Sequence, residues 1–247
     1  MGGAWKDTFS INQNLEVTAI EPETEQLDGT KRLEESLVLI EPGTIIDGVE
    51  FVTDVNFPTR LGQFRLYGFY DHQTEEEHTA LVRGDVRGAQ NLPVRVHSEC
   101  HTGDVWGSLR CDCREQLEMA VRYVAEHDAG IVVYMRQEGR GIGLMNKLRA
   151  YKLQELGFDT VEANEQLGFP AEARDYRVTA CILRLLGVQS LELMSNNPDK
   201  IEKLKAYGVN ISGRIPIVVE PNAHNQSYME TKRVRMRHNY ERDGTSL

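Results

Sequence analysis

The run Ile131-Val132-Val133-Tyr134-Met135 leads through Arg136-Gln137 into Glu138-Gly139-Arg140-Gly141-Ile142-Gly143, and then into a helical stretch from Leu144 to Leu156 that Gly157 stops. A short, wholly apolar strand suits a buried position in a sheet, and a glycine-rich turn into a helix carries the chain across that sheet. Similar units flank it. Leu117, Ala120, Val121 and Val124 fall at helical spacing ahead of Gly130, which reads as the close of that helix. Val178, Cys181, Ile182 and Leu185 mark a further helix, and Ser190–Ser195 a further strand. In Asn196-Asn197-Pro198 a capping residue precedes proline at the first helical position, opening a helix that ends at Gly208. Strands alternating with helices of this length predict an α/β fold.

Upstream the chain is richer in strands. Phe64–Tyr70 and Thr79–Asp85 read as strands joined through the polar Asp71–Thr74 turn region, and Leu92–His97 as a third, with Pro93 near its start. Residues 1–50 lack sustained periodicity beyond a short strand expected near Leu37–Ile40. The expected organisation is therefore an acidic extension over 1–50, one α/β domain with a strand-rich N-terminal part over 51–238, and a tail over 239–247.

Charge has to be read by region. The net charge is −10, yet residues 1–50 alone hold three basic and eleven acidic side chains, so the rest is close to neutral. Overall acidity thus argues neither against an anionic small molecule nor for nucleic acid. The basic stretch Lys232–His238 reads as a solvated tail or a subunit interface. No apolar run approaches bilayer length and Met1–Asp7 lacks the apolar stretch of a secretion signal, so a cytoplasmic protein without membrane contact is expected.

Three of the four cysteines crowd together as Cys100, Cys111 and Cys113, a pattern that suits a metal better than a disulfide scaffold. Both sulfurs of an extended Cys-Asp-Cys can face one side, and Gly103 and Gly107 let the loop fold Cys100 back onto them. Three thiolates leave a zinc ion one open coordination position for chemistry; a fourth ligand, His97 or His101, would make the site structural, and spacing leaves both open. Alternation in the preceding strand puts Arg95, His97 and Glu99 on one face, where they meet a ligand or simply solvent. In the glycine-rich turn, backbone N–H groups and the following helix N-terminus could hold phosphate, with Arg136 and Arg140 as further cations; Lys147, Arg149 and Lys200 extend the supply, although any one of these alone reads more readily as a solvated surface residue. Cys181, Met135, Met145 and Met194 read as core.

In order, Arg95-Val96-His97-Ser98-Glu99-Cys100, Thr102-Gly103-Asp104, Ser108–Cys113, Arg136–Leu144, Lys147–Tyr151, Asp159–Asn164, Leu167-Gly168-Phe169, Arg174-Asp175-Tyr176 and Asn196-Asn197-Pro198 resemble the GTP cyclohydrolase II family from about Phe57 to about His238. The resemblance implies a mixed sheet flanked by helices and a homodimer. It also implies zinc-dependent opening of the imidazole ring of GTP at C8, with release of formate and pyrophosphate in riboflavin biosynthesis. By position, Cys100, Cys111 and Cys113 would hold zinc. Arg95, Val96, His97, Ser98, Glu99, Gln116, Glu138, Gly139, Arg140, Thr160, Ser195 and Lys200 would bind GTP, and magnesium would accompany the triphosphate. Arg174 corresponds to the family's nucleophile toward the α-phosphorus, Glu172 to its proton acceptor, and Tyr151 to its tyrosine beside the purine.

Three positions depart from the family's pattern: Glu172 replaces an aspartate, Ser195 a threonine, and His101 a common leucine. Deprotonating a guanidinium with a carboxylate spans about 9 pKa units, roughly 12 kcal/mol. Arg174 could instead clamp the phosphoryl transition state. A family member that stops at the formamide, or a non-catalytic GTP-binding protein with structural zinc, are the alternative readings.

Overall fold

The computed structural model describes residues 40–170 and 174–240. The acidic stretch up to residue 39, most of the strand expected near Leu37–Ile40, Glu172, and residues 241–247 lie outside them.

Eight strands form one mixed sheet: β1 (Ile45–Ile46), β2 (Val49–Thr59), β3 (Gly62–Asp71), β4 (Glu76–Arg83), β5 (Leu92–Ser98), β6 (Gly130–Met135), β7 (Leu191–Met194) and β8 (Ile211–Ile215). Their spatial order is β1-β2-β3-β4-β6-β5-β7-β8. The first four and β6 pair antiparallel, whereas β6, β5, β7 and β8 run parallel. Six helices connect or cover them: α1 (Cys113–Ala125), α2 (Leu144–Gln154), α3 (Thr160–Gln166), α4 (Arg177–Leu185), α5 (Pro198–Ala206) and α6 (Gln226–Val234). The mixed α/β sheet with a strand-rich N-terminal part is the architecture expected from the sequence.

Two clusters of buried side chains hold the layers together. Val178, Cys181, Ile182 and Leu185 of α4 and Leu204 of α5 pack with Val94, Val96, Ile131 and Val133. Ala120 and Val124 of α1 pack with Phe64, Val132 and Met194 in a second cluster. Strand β5 shows how this positions a site. Val94 and Val96 belong to the first cluster, so alternation leaves Arg95 and His97 to the opposite face, both buried. Burying such groups is costly without partners, which Met194 of β7 and Gln116 of α1 provide for Arg95 and Asp104 for His97.

Some elements differ from the sequence reading. The sheet crosses the expected boundary at residue 50, since β2 begins at Val49, which is fully buried. A bulge between Phe51 and Thr53 breaks the alternation of β2 and hides it from a period-two search. Helix α1 ends at Ala125, and Gly130 opens β6 instead of closing the helix. Helix α3 carries a signal that was legible. Asp159 accepts from the N–H groups of Val161 and Glu162, and the Glu162 side chain returns to the Asp159 N–H, a complete capping box. No helix among the described residues is long and apolar enough to cross a membrane.

Candidate active site

Because β5, β6 and β7 run parallel, their C-terminal ends open on the same edge of the sheet. The chain leaves β5 for one neighbour, β6, and later returns to the other, β7, so the loops after these strands part around a crevice. That crevice is a pocket with about 1140 Å³ of non-atom space, its open mouth included. Glu99 and Cys100 enter it after β5, Glu138 to Arg140 after β6, and Ser195 to Asn197 after β7.

At one side the sulfurs of Cys100, Cys111 and Cys113 lie within 4.8 Å of one another, and no fourth His, Asp or Glu joins them among the described residues. Cys100 Sγ and Cys111 Sγ are 3.7 Å apart. That matches the edge of a tetrahedron with metal–sulfur bonds of about 2.3 Å and is far beyond an S–S bond. Gly103 lines the cluster so closely that a Cβ there would meet Cys111 Sγ at 3.0 Å and Cys100 Sγ at 3.1 Å. The thiols of Cys111 and Cys113, followed by the ammonium of Lys147, hold the Cys100 thiol well below its usual range. Cys111, beside that thiolate, is pushed up to about 11. Three sulfurs this close cannot all ionise without a cation, and three soft donors with one side open fit zinc.

Neither histidine considered as a fourth ligand takes that place. His97 Nε2 lies 3.1 Å from Asp104 Oδ2, and burial holds its pKa down. Asp104 also accepts from the Cys100 N–H at 3.0 Å and the Tyr134 hydroxyl at 2.8 Å, fixing the turn that presents Cys100. The His101 ring instead packs edge-on to Trp106. Tyr151 lies against the cysteine loop, its hydroxyl 3.5 Å from Thr102 Oγ1 and its ring under the Arg110 guanidinium at 4.3 Å. Burial pushes its pKa up to about 12.

The glycine-rich turn does something other than a bare phosphate loop. The Glu138 carboxylate accepts from the His101 N–H at 2.6 Å, the Gly139 N–H at 2.7 Å and Lys147 Nζ at 2.8 Å. Lys147 also donates to Cys100 Sγ at 3.0 Å. Its charge is thus committed to the thiolate and Glu138, not to a phosphate as the sequence reading had it. The turn holds both Gly139 and Arg140 at φ values of 63° and 64°. Arg140, a non-glycine residue in a conformation costing about 1–3 kcal/mol, is thereby aimed into the pocket. The first residues of α2, Gly143 and Leu144, line a neighbouring cavity. Among the helix N-termini at the pocket is that of α5, where Asn197 caps the Asp199 N–H at 3.0 Å and Lys200 is the third helical residue.

Cationic groups surround the remaining wall. Arg95, 6% exposed, donates to the Met194 carbonyl at 2.7 Å and to Gln116 Oε1 at 2.6 Å, while its Nε has no partner among the described residues. Burial lowers its pKa to about 10. Lys200 donates to the Val96 carbonyl at 2.7 Å. Val96 therefore enters the site only through its backbone, since its side chain is core. Arg174 reaches the pocket with Nη1 3.5 Å from Ser98 Oγ, and Thr160 enters from the start of α3. Arg149 is exposed and bonds Asn146. Cys181 is fully buried in the core, away from the cluster.

The sequence reading missed the C-terminal contribution. Tyr228, Lys232, Met236 and His238 line the pocket, so these members of the basic stretch are not a solvated tail, whereas Arg233, Arg235 and Arg237 are exposed. Lys232 is buried and bonds Asp112 Oδ1 at 2.5 Å. An isolated lysine near the end of a chain carries no sign of this. An aspartate between two candidate metal ligands, which needs a partner if buried, was the available signal.

Three clustered cysteine sulfurs and a cationic wall line one pocket at the strand ends of a mixed α/β sheet, an enzyme-like arrangement. The chain belongs to the GTP cyclohydrolase II family, which residues 50–216 match. This is the family its motifs resemble. It is 46% identical over 190 residues to a GTP cyclohydrolase-2 of Picrophilus torridus, covering 77% of this chain and 98% of that one. To a GTP cyclohydrolase-2 of Saccharophagus degradans it is 49% identical over 197 residues, covering 79% and 98%. To the riboflavin biosynthesis protein RibBA of Synechocystis it is 52% identical over 192 residues, covering 77% of this chain but only 34% of the relative. The chain spans between a third and a half of the length of the RibBA relatives it matches.

Proposed function

We propose that this protein binds GTP in the pocket, opens its imidazole ring at C8 and releases formate and pyrophosphate, with zinc held by Cys100, Cys111 and Cys113. The observation that carries this reading is the convergence of three cysteine sulfurs, without a fourth protein donor among the described residues, beside a wall of buried cations. When bound, zinc supplies Lewis acidity and water acidified for attack at C8. The relatives' printed names, GTP cyclohydrolase-2 and riboflavin biosynthesis protein, point to the same substrate and pathway.

The chain's own residues bind and orient. Arg95, Arg140, Arg174 and Lys200 neutralise the triphosphate with its magnesium. Arg174 is better suited to stabilise charge on the α-phosphorus than to attack it, because a guanidinium beside a polyphosphate holds its proton. Glu99, whose pKa burial raises, can share a proton with the base's ring nitrogen and amino group. Tyr151 keeps its proton at neutral pH and can donate it to a developing amine.

The test is to incubate zinc-loaded protein with GTP and measure formate, pyrophosphate and the pyrimidine product together. All three are expected. Ring-opened product without formate would mean that reaction stops at the formamide, and bound but unchanged GTP would defeat the catalytic reading. Arg174→Ala should abolish pyrophosphate release, and a cysteine variant formate release.

A further inference from the structure

The family match ends at residue 216, yet the wall of the pocket continues beyond it. Helix α6 and the turn after it, residues 225–240, lie across the site and are tied to it at separate points. Asn225 Nδ2 donates to the Cys111 carbonyl at 3.5 Å, Arg235 pairs with Asp159 at 2.7 Å, and the Asn239 N–H donates to the Asn196 carbonyl at 2.9 Å. In the middle of this strap Lys232 is 7% exposed, with its Nζ 4.5 Å from the Tyr228 ring centroid.

A continuous polar path starts there. Lys232 Nζ donates to Asp112 Oδ1 at 2.5 Å, and Gln116 Nε2 donates to Asp112 Oδ2 at 2.5 Å. Gln116 Oε1 then accepts from Arg95 Nη2 at 2.6 Å. Each link fixes the next. Lysine has no acceptor, so Lys232 orients the carboxylate. The carboxylate takes the Gln116 amide nitrogen, and this turns the amide oxygen toward Arg95. The guanidinium, held also by the Met194 carbonyl, is left with its unpartnered Nε buried in the pocket wall. On the same strap His238 has a buried Nε2 without a partner among the described residues, and burial with Lys232, Arg140 and Arg174 pushes its pKa down to about 3, leaving a neutral ring among cations.

We propose that residues 225–240 form a strap that completes the nucleotide site, with Lys232 a positioning residue that sets the Arg95 guanidinium through Asp112 and Gln116. The inference rests on the reading of the pocket as a GTP site.

The test is calorimetric titration of zinc-loaded, full-length protein with a GTP analogue bridged by methylene between the α- and β-phosphorus. It compares wild type, Lys232→Met, Gln116→Ala and the double variant, with zinc content measured on each. Lys232→Met should weaken binding about tenfold or more, the scale of a lost charged hydrogen bond, with zinc per chain kept. In the Gln116→Ala background the same change should cost less than twofold, because the path to Arg95 is already cut. Wild-type affinity in Lys232→Met, or equal losses in both backgrounds, would overturn the relay. Should Lys232→Met fail to fold, Lys232→Gln carries the same cycle. Formate release by the wild type is measured alongside. A wild type that binds the analogue but releases no formate defeats the catalytic reading, while the cycle still decides the relay. A wild type that does not bind the analogue defeats both.

Discussion

Gly103→Ala places one methyl group among the three cysteines. Its Cβ would lie 3.0 Å from Cys111 Sγ, 3.1 Å from Cys100 Sγ and 3.2 Å from Cys113 Cβ. Ordinary contact is about 3.5–4.0 Å, so the three neighbours must give by about 0.3–0.5 Å. Overpacking of this kind costs about 1–3 kcal/mol. Against it stands helix propensity. Gly103 sits in the single helical turn His101–Val105, where alanine is favoured over glycine by about 1 kcal/mol. The two effects leave a net loss of about 0–2 kcal/mol, or a fall in melting temperature of up to about 8 °C at 2–4 °C per kcal/mol for a chain of this size. Stability alone is therefore a weak readout, and metal retention is the sharp one. All three thiols border the methyl, so the clash spreads the triad itself. After dialysis against a mild chelator, Gly103→Ala should hold far less zinc than the wild type, measured by elemental analysis beside thermal denaturation. A variant that keeps its zinc and melts higher would show that propensity wins, and that the space between the sulfurs is not tight.

Two further predictions test the thiols and the core. Cys111→Ser should lose the zinc that we expect at close to one per chain while keeping its circular dichroism spectrum, whereas Cys181→Ser, a core change, should keep zinc and alter only stability. Metal loss in Cys181→Ser would show the wrong thiols had been chosen. Asp71, a fully buried side chain, pairs with Arg177 at 2.6 Å, and although burial opposes it, hydrogen bonds from Arg177, Thr74 and the Gln73 N–H lower its pKa. A folded-state pKa below the unfolded one contributes stability that is complete above the unfolded value, near 4, and fades as pH falls through the folded value. Asp71→Asn should cost about 3 kcal/mol at pH 7 in urea unfolding and show a shallower loss below pH 4 than the wild type. Equal slopes would remove Asp71 from the acid transition.

The strands and helices with regular apolar spacing were legible before any coordinates, because β5, β6, α1 and α4 carry their burial pattern in adjacent residues. The thiolate triad was legible as a set, since Cys100, Cys111 and Cys113 fall within one loop and the turn that follows it. So were separate members of the cationic wall, Arg95 through strand alternation and Arg140, Arg174 and Lys200 through motifs. Elements whose pattern is interrupted were not. The bulge at Phe51–Thr53 shifts β2 out of alternation, and β8, carrying Ser212, Gly213 and Arg214, has too little apolar content to announce a strand.

Which cation does which task depended on contacts across long stretches of chain. Lys147 read as a surface cation or one more charge for a phosphate and is instead tied to Cys100, 47 residues away. Lys232 looked solvated and is buried against Asp112, 120 residues away. The sequence by itself determined the periodic elements, the donor types and the metal chemistry open to them, since these depend on residue identity and neighbours a few positions apart. Only the tertiary structure decided that His97 and His101 stay off the cysteine cluster and that the C-terminal helix walls the pocket. A charged side chain's role is set by the partner that meets it when the chain closes, and that partner leaves no local trace.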